Sequence, residues 1–461
     1  MQASRTVPFP PPSTQDSYWL GGMDLSSVNT ETLPEAVMDT VVVGGGIAGM
    51  STALHLKRRM PGHRVAVLDA RGSVAAGATG RNGGLLWPNI KFNVSKCASS
   101  HGNEEARRIF NFDHATVKAV VAFCETTAKT NPELDPLCTR FVEKGFQGIT
   151  SEEETSAIAS DFAWLDAKKM DRQTKIVSRE TVLNTIPISG FNVNEWGALQ
   201  DEQAHMVHPV KLVFAIAKQV CSGDNPGLFV PNCTVQTVTR PSVSSNNFFV
   251  LETSKGTIRA KSIVYATNAW TSALLPSVPI VPVRNQVIVS EPVEISSSNG
   301  WGLSTNDGYE YMSQRPDGRV VLGGMRYLAD NMDVGNADDS QASLNSTVSK
   351  TLRHYLEKTL KTAPKTEREW AGIMGWTADG NPFVGELNGF GECESGEYIV
   401  AGFTGHGMSR CFLAADAVAQ LVARDDPLPD SFPHSFLVSK ERFELSIEDL
   451  GLSSPPVAHR F

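Results

Sequence analysis

Three glycines, Gly44, Gly46 and Gly49, stand at GxGxxG spacing inside "VVVGGGIAGM". An apolar, β-branched run ends at Val43, and apolar residues at helical spacing follow from Ile47 to Arg59. Residues of this type do not move protons; they make room for phosphate. Gly44 permits a tight turn, Gly46 lets the backbone approach a pyrophosphate, and Gly49 lets a helix pack close to a strand. The helix start at Ile47 and Ala48 then offers unpaired N–H groups and a positive dipole end to the phosphates. Asp69 ends "HRVAVLD" and Ala70 follows it. A carboxylate there accepts hydrogen bonds from ribose hydroxyls and repels a 2′-phosphate. A glycine-rich turn of some other α/β fold is the plain alternative, but strand, helix and acid are all in place.

These residues need a scaffold that brings two parallel strands together over one helix. Residues 38–69 read as strand, glycine turn, helix and strand, a βαβ unit. Beyond it, residues 72–90 form a Gly/Ala/Asn-rich loop, and a long amphipathic helix begins near Asn103, the expected cap. "HPVKLVFAIAKQV" and "SQASLNSTVSKTLRHYLEKTL" are helical, while residues 282–325 alternate as strands. The chain of 461 residues exceeds one simple core, and 41% hydrophobic with 20% charged residues suits a folded interior. Net charge is −9 without a Lys/Arg block, so nucleic acid is not an expected partner. No apolar run nears the roughly 20 residues that span a bilayer. Seven cysteines without a CxxC pair imply reduced thiols and no metal site, hence an expected cytoplasmic location. The C-terminal His459-Arg460-Phe461 is not a peroxisomal address.

The loop after Asp69, "ARGSVAAGATGRNGGLLWP", resembles the segment of D-amino-acid-oxidase superfamily flavoproteins that wraps FAD pyrophosphate and runs under the flavin. Thr79, Arg81, Asn82, Gly83 and Gly84 match that pattern. Val235 in "NCTVQTV" matches the strand that meets adenine, and Trp270 lies in "IVYATNAWT", similar to the segment closing the FAD domain. "YIVAGFTGHGMSRCFLAADAVAQLV" is similar to the turn and helix that contact the flavin, which implicates Gly402, Gly405, His406, Gly407 and Met408. Together with "SYWL", the chain looks most like a fungal-type amine-oxidising branch, similar to gamma-glutamylputrescine oxidoreductase and sarcosine oxidase. The resemblance implies an α/β fold: a Rossmann-like FAD-binding domain of the GR2 type with an inserted mixed-sheet substrate domain. The expected FAD domain takes residues 38–92, 200–283 and 366–425, and the substrate domain takes 93–199 and 284–365. Residues 1–37 read as an extended surface arm and 426–461 as a tail.

For function, the resemblance implies oxidation of a primary or secondary amine's C–N bond to an imine, with hydride passing to flavin N5. A helix starting at Gly405–Gly407 would aim its positive end at the flavin, and His406 would add a donor. Tyr309, Tyr311 and Arg315 fall on strands expected to cover the substrate side, with alternation sending both tyrosines to one face. Trp376 is expected in the cavity, Trp370 in the core, and His208 at a helix start. The departures matter as much. Gly372 stands where relatives attach flavin through cysteine, so FAD is expected to be non-covalent. Val321 replaces an oxygen-activating lysine, which leaves oxygen or another acceptor open. Met374 and Ser409 replace carboxylate-binding cations, although Arg410 follows. A buried carboxylate needs a paired cation, so an amine with a large or uncharged tail is the expected substrate. A flavin monooxygenase, or an FAD-binding sorting factor without catalysis, are the alternatives.

Overall fold

The computed structural model describes residues 7–11, 17–88, 93–140, 144–190, 193–241, 247–294, 300–360, 362, 364–425 and 427–445. The beginning of the expected N-terminal arm and the end of the expected tail lie outside them. β1 (Met38–Val43) has five of its six residues buried, as a strand covered on both faces must. It pairs in parallel with β2 (Val65–Leu68) on one side and with Gly256–Tyr265 on the other. α1 (Ile47–Arg59) makes the crossover and packs against the helices Cys411–Ala423 and Pro209–Val220. Among the described residues, eight strands form this first sheet. Leu228–Val230 is parallel to β2, and Glu397–Ala401 is parallel to Gly256–Tyr265.

The second sheet is mixed and also has eight described strands. Its spine is the antiparallel pair Val281–Ser290 and Thr366–Trp376, in register from Val281 opposite Trp376. Val320–Gly324, Glu310–Gln314 and Trp301–Thr305 continue it antiparallel, and Gly145–Gly148 joins in parallel. Residues 366–376, expected with the dinucleotide-binding unit, pair with Val281–Ser290 in the second sheet.

Two helix starts also differ from expectation. Gly102, at φ 86°, precedes the helix Asn103–Thr130, so Asn103 is its first residue rather than its cap. Its side chain is occupied elsewhere, accepting a hydrogen bond from Trp164 Nε1 at 2.9 Å. Near the C-terminus, Gly407–Ser409 form a 3₁₀ turn and the α-helix begins only at Cys411.

The segment before residue 38 is not all surface. Trp19 is completely buried, and its Nε1 donates to Asn82 O at 2.7 Å. Ser17 Oγ donates to Gly80 O, and Tyr18 OH donates to Asp317 Oδ2 at 2.6 Å. A large apolar ring with one polar tip finds here both a core and an acceptor. The segment thereby ties the glycine-rich loop to the second sheet.

Candidate active site

The glycine turn is built as its spacing requires. Gly44 has φ 116°, a conformation that favours glycine, and a Cβ there would lie 2.5 Å from Ala266 O. A Cβ on Gly49 would lie 1.9 Å from Gly44 O, so Gly49 does not face the cavity; it sets how closely α1 approaches β1. Gly46 differs. A Cβ there would meet only Thr79 Oγ1, at 3.1 Å, and would otherwise project into open space. Gly46 is the cap residue of α1 and has no side chain to satisfy the helix's first N–H groups. Thr79 Oγ1 takes one of them, accepting from Ile47 N at 3.1 Å.

Gly44, Gly46, Ile47 and Ala48 line one end of a cavity of about 480 Å³, together with Asp69, Ala70 and Val235. Asp69 is held by the backbone: Oδ2 accepts from Gly45 N at 2.6 Å and Oδ1 from Arg71 N at 2.8 Å. Burial raises its pKa, and these two bonds oppose the rise. Trp270 also lines the cavity, under the Arg71 guanidinium at 4.9 Å. Arg71 and Arg81 share one acid: Arg71 Nη1 lies 2.8 Å and Arg81 Nε 3.4 Å from Asp339 Oδ2, all three side chains at most 4% exposed. Beside the groove, Arg71 Nε and Nη2 have no hydrogen-bond partner. An open glycine cradle, free helix N–H groups and the unmet N–H donors of Arg71 fit a pyrophosphate-bridged dinucleotide.

The glycine-rich loop continues the lining with Thr79, Arg81, Asn82 and Gly83. Asn82 shapes it, donating from Nδ2 to Thr79 O at 2.8 Å and accepting from Gly84 N at 2.7 Å. Gly84, at φ 74°, lies behind the cavity against the Trp19 ring. Gly83 touches Tyr311, whose ring would lie 2.6 Å from a Cβ added there. The loop therefore lies directly between the first sheet's helix end and the second sheet's face.

That face forms the other end. Tyr311, Asn285, Val287, Met374 and Trp376 line it. Asn285 Nδ2 donates to Tyr311 OH at 3.3 Å, which leaves the hydroxyl proton free to point into the cavity. Tyr309 also lines the cavity, but from a turn at the end of a short 3₁₀ segment, not from the strand, so alternation does not place it. Gly405, His406, Gly407 and Met408 close the opposite wall. His406 is exposed at the cavity wall. Desolvation by the surrounding walls, with the charges of Arg410 and Arg326, pushes its pKa down. Gly402, at φ 80°, turns the chain into this wall without facing the cavity. Because the α-helix begins at Cys411, the expected dipole acts from one turn further away.

Two candidate cations are drawn off elsewhere. Arg315 is not brought to the cavity. It lies on the same strand face as Tyr311, but the strand carries it past the glycine-rich loop. There it stacks on Trp19 at 4.7 Å and Tyr18 at 4.9 Å. Arg410 is buried and bidentate to Asp113, at 2.8 and 3.2 Å. Besides Arg71 and Arg81 at the glycine-turn end, the cavity is lined by Arg326, in the short turn after Val320–Gly324, which sequence reasoning missed. The only local signal was an arginine two residues after the strand's paired glycines in "VVLGGMRYL". Gly372 lines the cavity where a cysteine was the attachment point to look for, so FAD has no covalent anchor at that position.

A dinucleotide groove opening into an aromatic chamber between two sheets defines a flavoprotein of the two-domain, Rossmann-like type. The chain belongs to the DAO family of FAD dependent oxidoreductases, which it matches over residues 39–421. Gamma-glutamylputrescine oxidoreductase of Escherichia coli K12 is 24% identical to it over 425 residues, 88% of this chain and 89% of that protein. The probable oxidoreductase OrdL of Haemophilus influenzae is 23% identical over 394 residues, 84% of this chain and 83% of its own length. The crystal structure of glycine oxidase from Geobacillus kaustophilus shares the fold, with a TM-score of 0.68 at 20% identity, covering 87% of this chain and 98% of that one. The protein is therefore an FAD-dependent enzyme, and among its described residues no helix is long and apolar enough to cross a membrane.

Proposed function

We propose that this enzyme oxidises the C–N bond of a primary or secondary amine to an imine, by hydride transfer to flavin N5. The observation that carries the reading is the continuity of one cavity from the Gly44–Gly46 turn to the Tyr309, Tyr311 and Trp376 walls. Names among the relatives, gamma-glutamylputrescine oxidoreductase and glycine oxidase, point to the same chemistry. Bound FAD supplies the hydride acceptor. The chain's own residues orient and enclose the substrate. Gly44, Gly46, Asp69, Thr79, Arg81, Asn82 and Gly83 hold the cofactor, and the aromatic walls keep the reacting carbon in a low-water chamber. The Tyr311 hydroxyl, its pKa raised to about 12 by burial, stays protonated and donates. His406, neutral, adds no charge near the amine.

Val321 lies on the face that carries Tyr311, two residues before Gly323, and is fully buried. It puts no cation at that position, so the chain has no residue there that would speed reaction with oxygen. The test is anaerobic mixing of the flavin-loaded enzyme with a panel of amines. Loss of flavin absorbance at about 450 nm supports the proposal. Bleaching only by a reduced nicotinamide would make the protein a monooxygenase, and no bleaching at all would make it a non-catalytic flavin binder.

A further inference from the structure

Residues 7–11 belong to the segment expected to be a surface arm, yet they help to build the cavity. Phe9 and Pro10 line it. Val7 fastens them. Its N–H donates to Ser272 Oγ at 3.3 Å, and it packs against the cluster of Ala269, Trp270 and Ile373. Ala269 and Trp270 follow the first-sheet strand Gly256–Tyr265, whereas Ile373 lies in the second-sheet strand Thr366–Trp376. Val7 is therefore seated where the two units meet. Ten residues later the chain is fastened again, by Ser17 to Gly80 O and by Trp19 to Asn82 O. Trp270 and Asn82, one at each fastening, are themselves cavity residues. Trp270 also stacks under Arg71, two residues after Asp69, which puts the first fastening at the cofactor end.

The composition suits a cover. Pro8, Pro10 and Pro11 stand in "VPFPP". Proline fixes φ and brings no N–H, so such a segment is held extended at little entropic cost and has few donors to satisfy beside an open cavity. Of residues 7–11 only Val7 and Phe9 carry a backbone N–H, and that of Val7 is bonded to Ser272. Phe9 is 39% exposed; of the large apolar side chains that stay exposed among the described residues, it is the one that lines the cavity. Two extended residues span at most about 7 Å, so Phe9 enters the wall close to the Val7 fastening. A flat aromatic cofactor there would bury the rest of its ring.

We infer that residues 7–11 are a strap over the cofactor end of the cavity, and that Phe9 slows the exchange of FAD. The inference goes beyond the amine-oxidation reading and does not depend on it.

The experiment follows release of bound FAD from the full chain, as the rise in free-flavin fluorescence after dilution, for wild type, Phe9→Ser and Val7→Asp. Phe9→Ser removes the ring, and Val7→Asp loosens the fastening. Both should release FAD about tenfold faster, the effect of exposing roughly half a phenylalanine side chain. Their apoproteins should melt like the wild-type apoprotein. Release at the wild-type rate by either folded variant overturns the inference. So does faster release from variants whose apoproteins also melt lower, because residues 7–11 would then belong to the folded core and not to a cover. Should Val7→Asp fail to fold, Phe9→Ser decides alone.

Discussion

Alanine at Gly46 and alanine at Gly49 should fail in different ways, and the difference tests how the cofactor turn is built. At Gly49 the new Cβ would sit 1.9 Å from Gly44 O and 3.2 Å from Val42 Cγ1. Reaching ordinary contact, 3.4 Å, needs a displacement of 1.5 Å (3.4 − 1.9) between two backbones. Overpacking of this kind costs about 1–3 kcal/mol. Alanine recovers about 1 kcal/mol of helix propensity, so the net loss is about 0–2 kcal/mol, felt by the apoprotein. At Gly46 the backbone has φ −76°, open to any residue, and Thr79 Oγ1 at 3.1 Å need yield only a few tenths of an ångström. The apoprotein should melt close to wild type. The methyl group enters the space a pyrophosphate needs, so FAD affinity should fall roughly 10–100-fold, taking the same overpacking cost as a binding penalty. Thermal melting of the two apoproteins, with FAD titration followed by flavin fluorescence, separates the cases. An apo Gly46→Ala that melts as low as Gly49→Ala, or that binds FAD like wild type, would refute the reasoning.

Three further outcomes follow from buried groups. Trp19→Ala should destabilise the protein by about 3–5 kcal/mol and weaken FAD binding, because the ring supports Gly84 and bonds Asn82 O. Arg315→Gln, by contrast, should lower stability modestly and leave KM for the amine unchanged, since the residue stacks on Tyr18 and Trp19; a raised KM with normal stability would return Arg315 to the substrate site. Asp201 is 1% exposed, and burial raises its pKa from 3.8 to about 7. Between those values the folded state holds a proton that the unfolded chain has lost, so this group's stability contribution is present at low pH and disappears as pH rises. Asp201→Asn should therefore gain on wild type by a few kcal/mol between pH 4 and pH 8 in urea unfolding; a constant difference would show that the carboxyl is not protonated in the fold.

The cofactor half of the site was legible in the chain because its chemistry is local. A strand, three glycines, a helix start and an acid occupy 32 consecutive residues (38 to 69), and their spacing alone imposes the turn geometry. The same holds for Asn82, whose side-chain bonds to Thr79 O and Gly84 N stay within a short loop. Elements with a strong period, such as Asn103–Thr130 and Pro209–Val220, were also plain to read. Which cation faces the second-sheet end of the cavity was not. Arg315 and Arg326 are both buried arginines on the same sheet, and no pattern in "MSQRPDGRVVLGGMRYL" separates them. One is stacked under Trp19, a residue almost three hundred positions earlier in the chain, and the other is stacked between Tyr309 and Trp376. A side chain's charge is written in the sequence, but whether that charge is paired depends on which distant elements the fold packs beside it.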